Sequence, residues 1–565
     1  MVEYFKKYGF KKTIAFYNLL YLLIYGLILL MLKDTIINLL CNLINQHRFD
    51  SFIETYTPFC LFAFWSWMSF HHVQERTYFF KTKRKLGYDL SHYKRSYHQL
   101  VDYFKDADPY QMNAESLPKK SWKEVEGLIF GTTDDGRVFH LPSSKDGSNT
   151  FIFGLPGIGK TAGPIICSAL KFGIHSAIDP KNQEEQIPES NGSVFCIDIK
   201  GDIYAATHKY RNIKCFDLIH PEKSCHFNPL AGIEHLNMDE RCLFIENLGF
   251  NLIPDSNNER YFSDTAKDYF NGIALYLLDK DIHTSFPTIV KEILKGNAVD
   301  WVKQVMSDGS PQSRFRLASK YGENPKNLAG SYALLCNSIR SFSSDTLSNL
   351  LDNTTNADYI SVQSLEDGYD VYIEVEQTQL ANYAPLLSMI TQSFFLGMLK
   401  REKIPNVGKL EDGTLRPVCF ILDEFAQLTT LSYDIVAALF MTGRSRNISC
   451  LCALQSISSI KEMFLSDNAC KSLIDCVNTF AFLGIQETET RKWASDLIGT
   501  KKVLHVTNNL TMTSTNHQTG RSVTESREPI IQPESFGSLK NDNKDELIVY
   551  HKGTHLTLKK IYYFE

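Results

Sequence analysis

One stretch constrains this chain more than any other. An apolar run, Phe151, Ile152 and Phe153, leads into Gly154-Leu155-Pro156-Gly157-Ile158-Gly159-Lys160-Thr161. Gly154, Gly159, Lys160 and Thr161 stand at the spacing G-x-x-x-x-G-K-[ST]. The run before them is short and apolar, as a buried strand is, and residues 161–170 read as the helix that follows. A strand, a glycine-rich turn and a helix in that order make a cradle for a phosphate chain. Glycines let the backbone turn tightly enough for several N–H groups to converge, and the helix N-terminus adds partial positive charge. The expected contacts are the backbone of Gly154, Pro156, Gly157, Ile158, Gly159 and Ala162. Lys160 would reach the β and γ phosphates, and the Thr161 hydroxyl would hold Mg2+.

The chain has 565 residues, enough for several domains with sizeable cores. A formal charge of −5 and a pI near 6.4 mean that nothing global demands a nucleic-acid or anionic partner. The 13 cysteines, Cys196, Cys419 and Cys450 among them, sit mostly in apolar runs without a C-x-x-C pair. They read as small core residues in a reducing compartment, and Cys450 and Cys452 as two residues on one face of a strand.

Residues 1–75 read as a transmembrane hairpin with spans at about 13–32 and 53–71. The first span carries no charge; the second is shorter and aromatic, with Phe62, Phe64, Trp65 and Trp67. Lys6, Lys7, Lys11 and Lys12 precede the first, and Arg76, Lys81, Lys83, Arg84 and Lys85 follow the second. Basic flanks on both outer sides put both termini in the cytoplasm. Residues 76–125 read as a membrane-proximal connector.

The rest of the chain alternates strand and helix, which implies a parallel sheet. Residues 127–141 look like a hairpin around Asp134-Asp135-Gly136, expected to pair near the phosphate-loop strand. Residues 179–193 read as an exposed loop. The strand at 194–197 ends in Asp198-Ile199-Lys200-Gly201-Asp202, where the carboxylate serves either a ligand site or a helix cap. Between residues 232 and 356 the apolar spacing turns helical, marking an inserted all-α region. Residues 418–422 are five hydrophobics that deliver Asp423-Glu424, the Walker B arrangement. There Asp423 would orient Mg2+ through its water shell, and Glu424 would align or deprotonate the attacking water. A strand at 448–454 ends at Gln455, placed to sense the γ-phosphate, and Arg444, just before it, could act as an arginine finger on a neighbouring subunit. Residues 507–526, rich in Thr, Ser and Asn, are expected to be a flexible excursion, and a hairpin closes the domain.

In this order the motifs resemble the type IV secretion system coupling proteins, related to the TraG and TraD conjugation proteins. The likeness covers the paired N-terminal spans, residues 154–161, Asp198 to Asp202, Phe216-Asp217, Phe227-Asn228-Pro229-Leu230, Leu422-Asp423-Glu424-Phe425, Leu454-Gln455-Ser456, and Arg527-Glu528-Pro529. It also reaches the closing Lys559-Lys560-Ile561-Tyr562-Tyr563. It implies an α/β fold: a RecA-like P-loop nucleotide-binding domain over 126–231 and 357–565, with the all-α insertion at 232–356. It further implies ATP and Mg2+ as cofactors, and a homo-hexamer in the bacterial inner membrane with the bulk of the chain cytoplasmic. Such proteins hand relaxase-bound DNA or effector proteins to the secretion channel. Lys160, Thr161, Asp423, Glu424 and Gln455 carry over as phosphate, metal, hydrolysis and sensing residues. A nucleotide-dependent receptor or scaffold for effectors is the alternative.

Overall fold

Strands at the centre of the molecule are apolar on both faces, the pattern of a parallel sheet covered by helices on each side. Phe151 and Phe153 enter one core and Ile152 the other; Phe195 and Ile197 part in the same way from Val194 and Cys196. The structure, a computed structural model, describes residues 108–565 except 109, 144–148, 180–186, 254–259, 354–356, 402–407, 429, 514–515 and 542–543. The two expected spans and most of the connector lie outside the described residues. Among the described residues no helix is long and apolar enough to cross a membrane.

The strands are β1 (Leu128–Thr132), β2 (Val138–Leu141), β3 (Asn149–Gly154), β4 (Ser193–Asp198), β5 (Ile213–Asp217), β6 (Asp370–Glu374) and β7 (Val418–Leu422). They continue with β8 (Ile448–Leu454), β9 (Thr479–Gly484), β10 (Thr500–Thr513), β11 (Asn516–Pro529), β12 (Lys540–Asn541), β13 (Lys544–His551) and β14 (Thr554–Lys560). The main sheet runs β2-β1-β14-β13-β9-β3-β8-β7-β4-β6-β5, with β12 beside β13. From β9 to β5 every pair is parallel, and β13, β14, β1 and β2 extend the sheet antiparallel.

Helices α1 (Ile166–Lys171) and α2 (Asp202–Thr207) follow β3 and β4. Between β5 and β6 come α3 (Met238–Leu252), α4 (Arg260–Lys280), α5 (Phe286–Lys295), α6 (Ala298–Asp308), α7 (Pro311–Leu317), α8 (Pro325–Ile339), α9 (Asp345–Leu350) and α10 (Val362–Glu366). Helix α3 starts at a capping box in which Asn237 and Glu240 satisfy each other's backbone N–H. The two ends of this helical stretch meet where the N–H of Phe227 donates to Leu350 O (2.9 Å) and that of Ile360 to His226 O (2.9 Å). Its apolar residues, such as Leu248 and Phe270, belong to the same continuous core as Phe151 and Phe420 of the sheet. After β6 come α11 (Leu380–Lys400), α12 (Tyr433–Thr442), α13 (Ile457–Phe464), α14 (Asp467–Asp475) and α15 (Thr488–Ile498).

The structure corrects one expectation and refines two others. The hairpin β1-β2 exists, but it pairs with β14, and β14, β13 and β9 separate it from β3. It meets the phosphate-loop segment through α1 instead, where the N–H of Ile129 donates to Ser168 Oγ at 2.8 Å. Residues 507–526, expected to be a flexible excursion, belong to a hairpin in which β10 and β11 pair antiparallel from Thr500 and Pro529 to Thr513 and Asn516. Threonine and valine favour extended backbone, so a polar composition concealed strand propensity. The helix after the phosphate loop begins as a wide π turn, Thr161–Ile165, and becomes α-helical only at Ile166. Pro164 lacks the N–H that would bond to Lys160 O, so Ile165 N takes that carbonyl, at 3.2 Å.

Candidate nucleotide site at the carboxyl ends of the parallel strands

Strands β3, β8 and β7 are neighbours and parallel, so the turns after them open on the same edge of the sheet. That edge is where open α/β sheets bind ligands. It gathers Gly154 to Thr161 after β3, Asp423 and Glu424 after β7, and Gln455 after β8. The register sets Phe153 beside Leu454, so Gln455 emerges next to the start of the phosphate loop, with its side chain exposed.

Gly157 (φ +73°) and Gly159 (φ +96°) hold the loop in backbone conformations that side chains resist. Lys160 is buried, and its Nζ donates to Gly154 O (2.6 Å) and Leu155 O (3.2 Å). Burial lowers its pKa, while the charges of Glu424 and Asp423 oppose that shift. The Thr161 hydroxyl donates to Asp423 Oδ2 at 2.9 Å and joins the two motifs across 262 positions of sequence. Burial pushes the Asp423 carboxyl up to about 6 against that hydrogen bond, and the charge of Glu424 adds to the rise. Glu424 adopts a left-handed conformation (φ +66°, ψ +48°) at the start of the turn Phe425–Gln427. For a residue other than glycine this costs on the order of 1–2 kcal/mol, a strain typical of functional turns.

A threonine hydroxyl and a carboxylate oxygen 2.9 Å apart are the hard oxygen donors that Mg2+ takes, and a lysine stands beside them. The residues therefore fit a Mg2+-bound phosphate chain. Pro156, Ile158 and Ala162 complete the turn around it.

Arg444 lies elsewhere. It is exposed on the turn Gly443–Arg446, ahead of β8, at the opposite edge of the sheet from Gln455. Seven strand residues separate the two, roughly 23 Å of extended chain. Asn447 follows in a left-handed conformation (φ +56°), which asparagine tolerates, and its Nδ2 donates to Leu415 O at 2.8 Å.

Asp198 binds the backbone of the turn that follows it. Its carboxylate accepts N–H bonds from Lys200 (3.2 Å), Gly201 (2.9 Å) and Tyr204 (2.8 Å) and shapes the entry to α2; burial still raises its pKa. Glu374, unremarked as a site residue in the sequence, lies between Asp198 and Asp217 at the carboxyl ends of β4, β6 and β5. Burial first, then those two carboxylates, push it up to about 7. The signal was present: β4, β5 and β6, like the apolar run of β7, each deliver an acidic residue at this edge.

Two solved structures are similar in fold. The bacterial conjugative coupling protein TrwBdeltaN70, in an unbound form, matches with a TM-score of 0.52 and 14% identity over 76% of this chain and 88% of that one. The plasmid coupling protein TrwB in complex with ADP and Mg2+ matches with a TM-score of 0.55 and 13% identity over 80% and 91%. At such identity the likeness is one of fold, and it agrees with the RecA-like α/β core. A search of curated protein sequences found no match. The model of the family described as type IV secretory system conjugative DNA transfer matches residues 110–565, and the chain belongs to that family of coupling proteins.

Proposed function

We propose that the chain is a membrane-anchored P-loop ATPase of a type IV secretion or conjugation system, which recruits relaxase-bound DNA or effector protein and couples ATP hydrolysis to its delivery to the channel. The observation that carries this reading is the 2.9 Å bond between Thr161 and Asp423, which joins phosphate loop and Walker B strand beside a strained second carboxylate. Bound Mg2+ would neutralise charge on the β and γ phosphates. Lys160, which donates to the carbonyls of Gly154 and Leu155, would turn to those phosphates, and Thr161 and Asp423 would hold the metal. Glu424 takes the proton of the attacking water, and Gln455 reports the γ-phosphate from the intervening strand.

Membership of the family, together with TrwB having been solved with ADP and Mg2+, supports ATP as nucleotide. A homo-hexamer in the inner membrane, contacting the channel components, follows from the same reading. Arg444, at the far edge, can serve hydrolysis only on a neighbouring subunit's nucleotide.

The test is the ATPase rate of the purified full chain, with Glu424→Gln as blank, alone and with single- or double-stranded DNA. Stimulation by DNA that falls steeply with salt supports DNA transport. Hydrolysis indifferent to DNA favours protein cargo, and no hydrolysis above the blank in an assembled sample leaves a scaffold.

A further inference from the structure

We propose that residues 560–564, the last residue of β14 and the segment after it, form part of the nucleotide site, and that Phe564, backed by Tyr562, stacks on the nucleobase. Purine nucleotides are then chosen by ring face rather than by hydrogen bonds at their edges. The proposal rests on the nucleotide reading above.

Strand β14 is separated from β3 by β13 and β9, yet the chain after it returns to the phosphate loop. Lys560 Nζ donates to Ile158 O at 3.2 Å and pairs with Asp545 of β13 at 2.9 Å. The N–H of Tyr563 donates to Ala162 O at 3.1 Å. A Cβ on Gly159 would stand 2.9 Å from a ring carbon of Tyr562, whose hydroxyl donates to Asp545 Oδ2 at 2.6 Å. Asp545 thus anchors both the lysine that holds the crest of the loop and the tyrosine that packs on it.

The rings extend from this anchor. Tyr562 and Phe564 are stacked, with centroids 5.4 Å apart and planes 12° from parallel, and Tyr563 meets Phe564 edge-on at 5.3 Å. Phe564 is 55% exposed. In a phosphate loop the lysine side takes the β and γ phosphates, and the α-phosphate sits towards the first residues of the helix. Ribose and base therefore leave past Thr161 and Ala162, the backbone to which Tyr563 is bonded. A lone exposed phenylalanine means little. This one lies on a second ring that is held against the loop, beside the exit of the base. Aromatic faces stack on any base and read no edge pattern.

The test is calorimetric titration of the Mg2+-loaded full chain with ATP, GTP and inorganic tripolyphosphate, which has no base. Phe564→Ala should weaken ATP and GTP about tenfold while tripolyphosphate stays within about twofold, and Phe564→Trp should restore ATP affinity. In the native chain ATP and GTP should bind within about threefold of each other. ATP and tripolyphosphate weakened in parallel would mean that the segment only shapes the loop, and unchanged ATP affinity would place the base elsewhere; either overturns the proposal. So would a preference of about a hundredfold for ATP over GTP, the mark of edge reading. If the native chain bound neither ATP nor tripolyphosphate, the nucleotide reading itself would fall.

Discussion

Under the proposed function Lys160, Thr161, Asp423 and Glu424 have distinct tasks, and their removal should separate binding from chemistry. Lys160→Ala should lower ATP hydrolysis at least about a hundredfold, with the far-ultraviolet spectrum unchanged. Glu424→Gln should retain ATP unhydrolysed, read as labelled nucleotide that stays triphosphate on the protein. Glu374 yields a prediction about pH. Its carboxyl rises from an ordinary 4.5 to about 7, so the folded chain holds this proton more tightly than the unfolded chain. The resulting stabilisation is complete below about 4.5 and is lost as pH rises through about 7. Glu374→Gln should flatten this loss, so that urea unfolding at pH 5 and pH 8 differs by on the order of 2–3 kcal/mol less than in the native chain. The motif residues were legible because phosphate chemistry dictates their types and spacing. The acidic ends of β4, β5 and β6 were legible in the same way, but the proximity of Glu374 to Asp217 and of Lys560 to Ile158 was not, because it arises only through sheet pairing and the return of the chain after β14.

Elements are tied to one another by a few buried polar groups. Arg211, fully buried, donates to Ala169 O and Phe172 O at 2.9 Å each, at the end of α1, and forms a bidentate ion pair with Asp370 at the start of β6. Arg211→Met leaves Asp370 buried without its countercharge and should cost about 3–5 kcal/mol, measured as a shift in the denaturation midpoint. Several elements could be read from apolar spacing: β4, β7 and β8 lie within a residue or two of where the runs place them. Inside the region expected to be helical, the individual bounds of α6 and α7 were not set by spacing, although Asn297 and Ser310 cap them and Pro311 opens the second. Their amphipathic stretches are short, and caps alone say where a helix starts without saying that one exists.

At the scale of the molecule, the helices between β5 and β6 share a core with the sheet, and residues 108–565 form one compact unit. Heating the full chain should therefore unfold this unit in a single calorimetric transition, and two well-separated peaks would show that the helical stretch stands alone. The displaced β1-β2 hairpin and the far position of Arg444 belong to this scale as well. Strand order depends on which edges are left to pair once the parallel strands are laid down, and no local run of residues records it.

By itself the sequence determined the chemistry at each strand end: a loop of glycines before a lysine and threonine, and two carboxylates after five hydrophobics. These are local patterns, constrained by phosphate and metal geometry. Only the tertiary structure decided which ends adjoin, that Asp198 accepts the N–H groups of the turn into α2 while burial and neighbouring carboxylates push Glu374 beside it up to about 7, and that the chain after β14 returns to the loop. Those facts arise from pairing and packing between residues hundreds of positions apart, where burial and neighbouring charge are set by the whole fold.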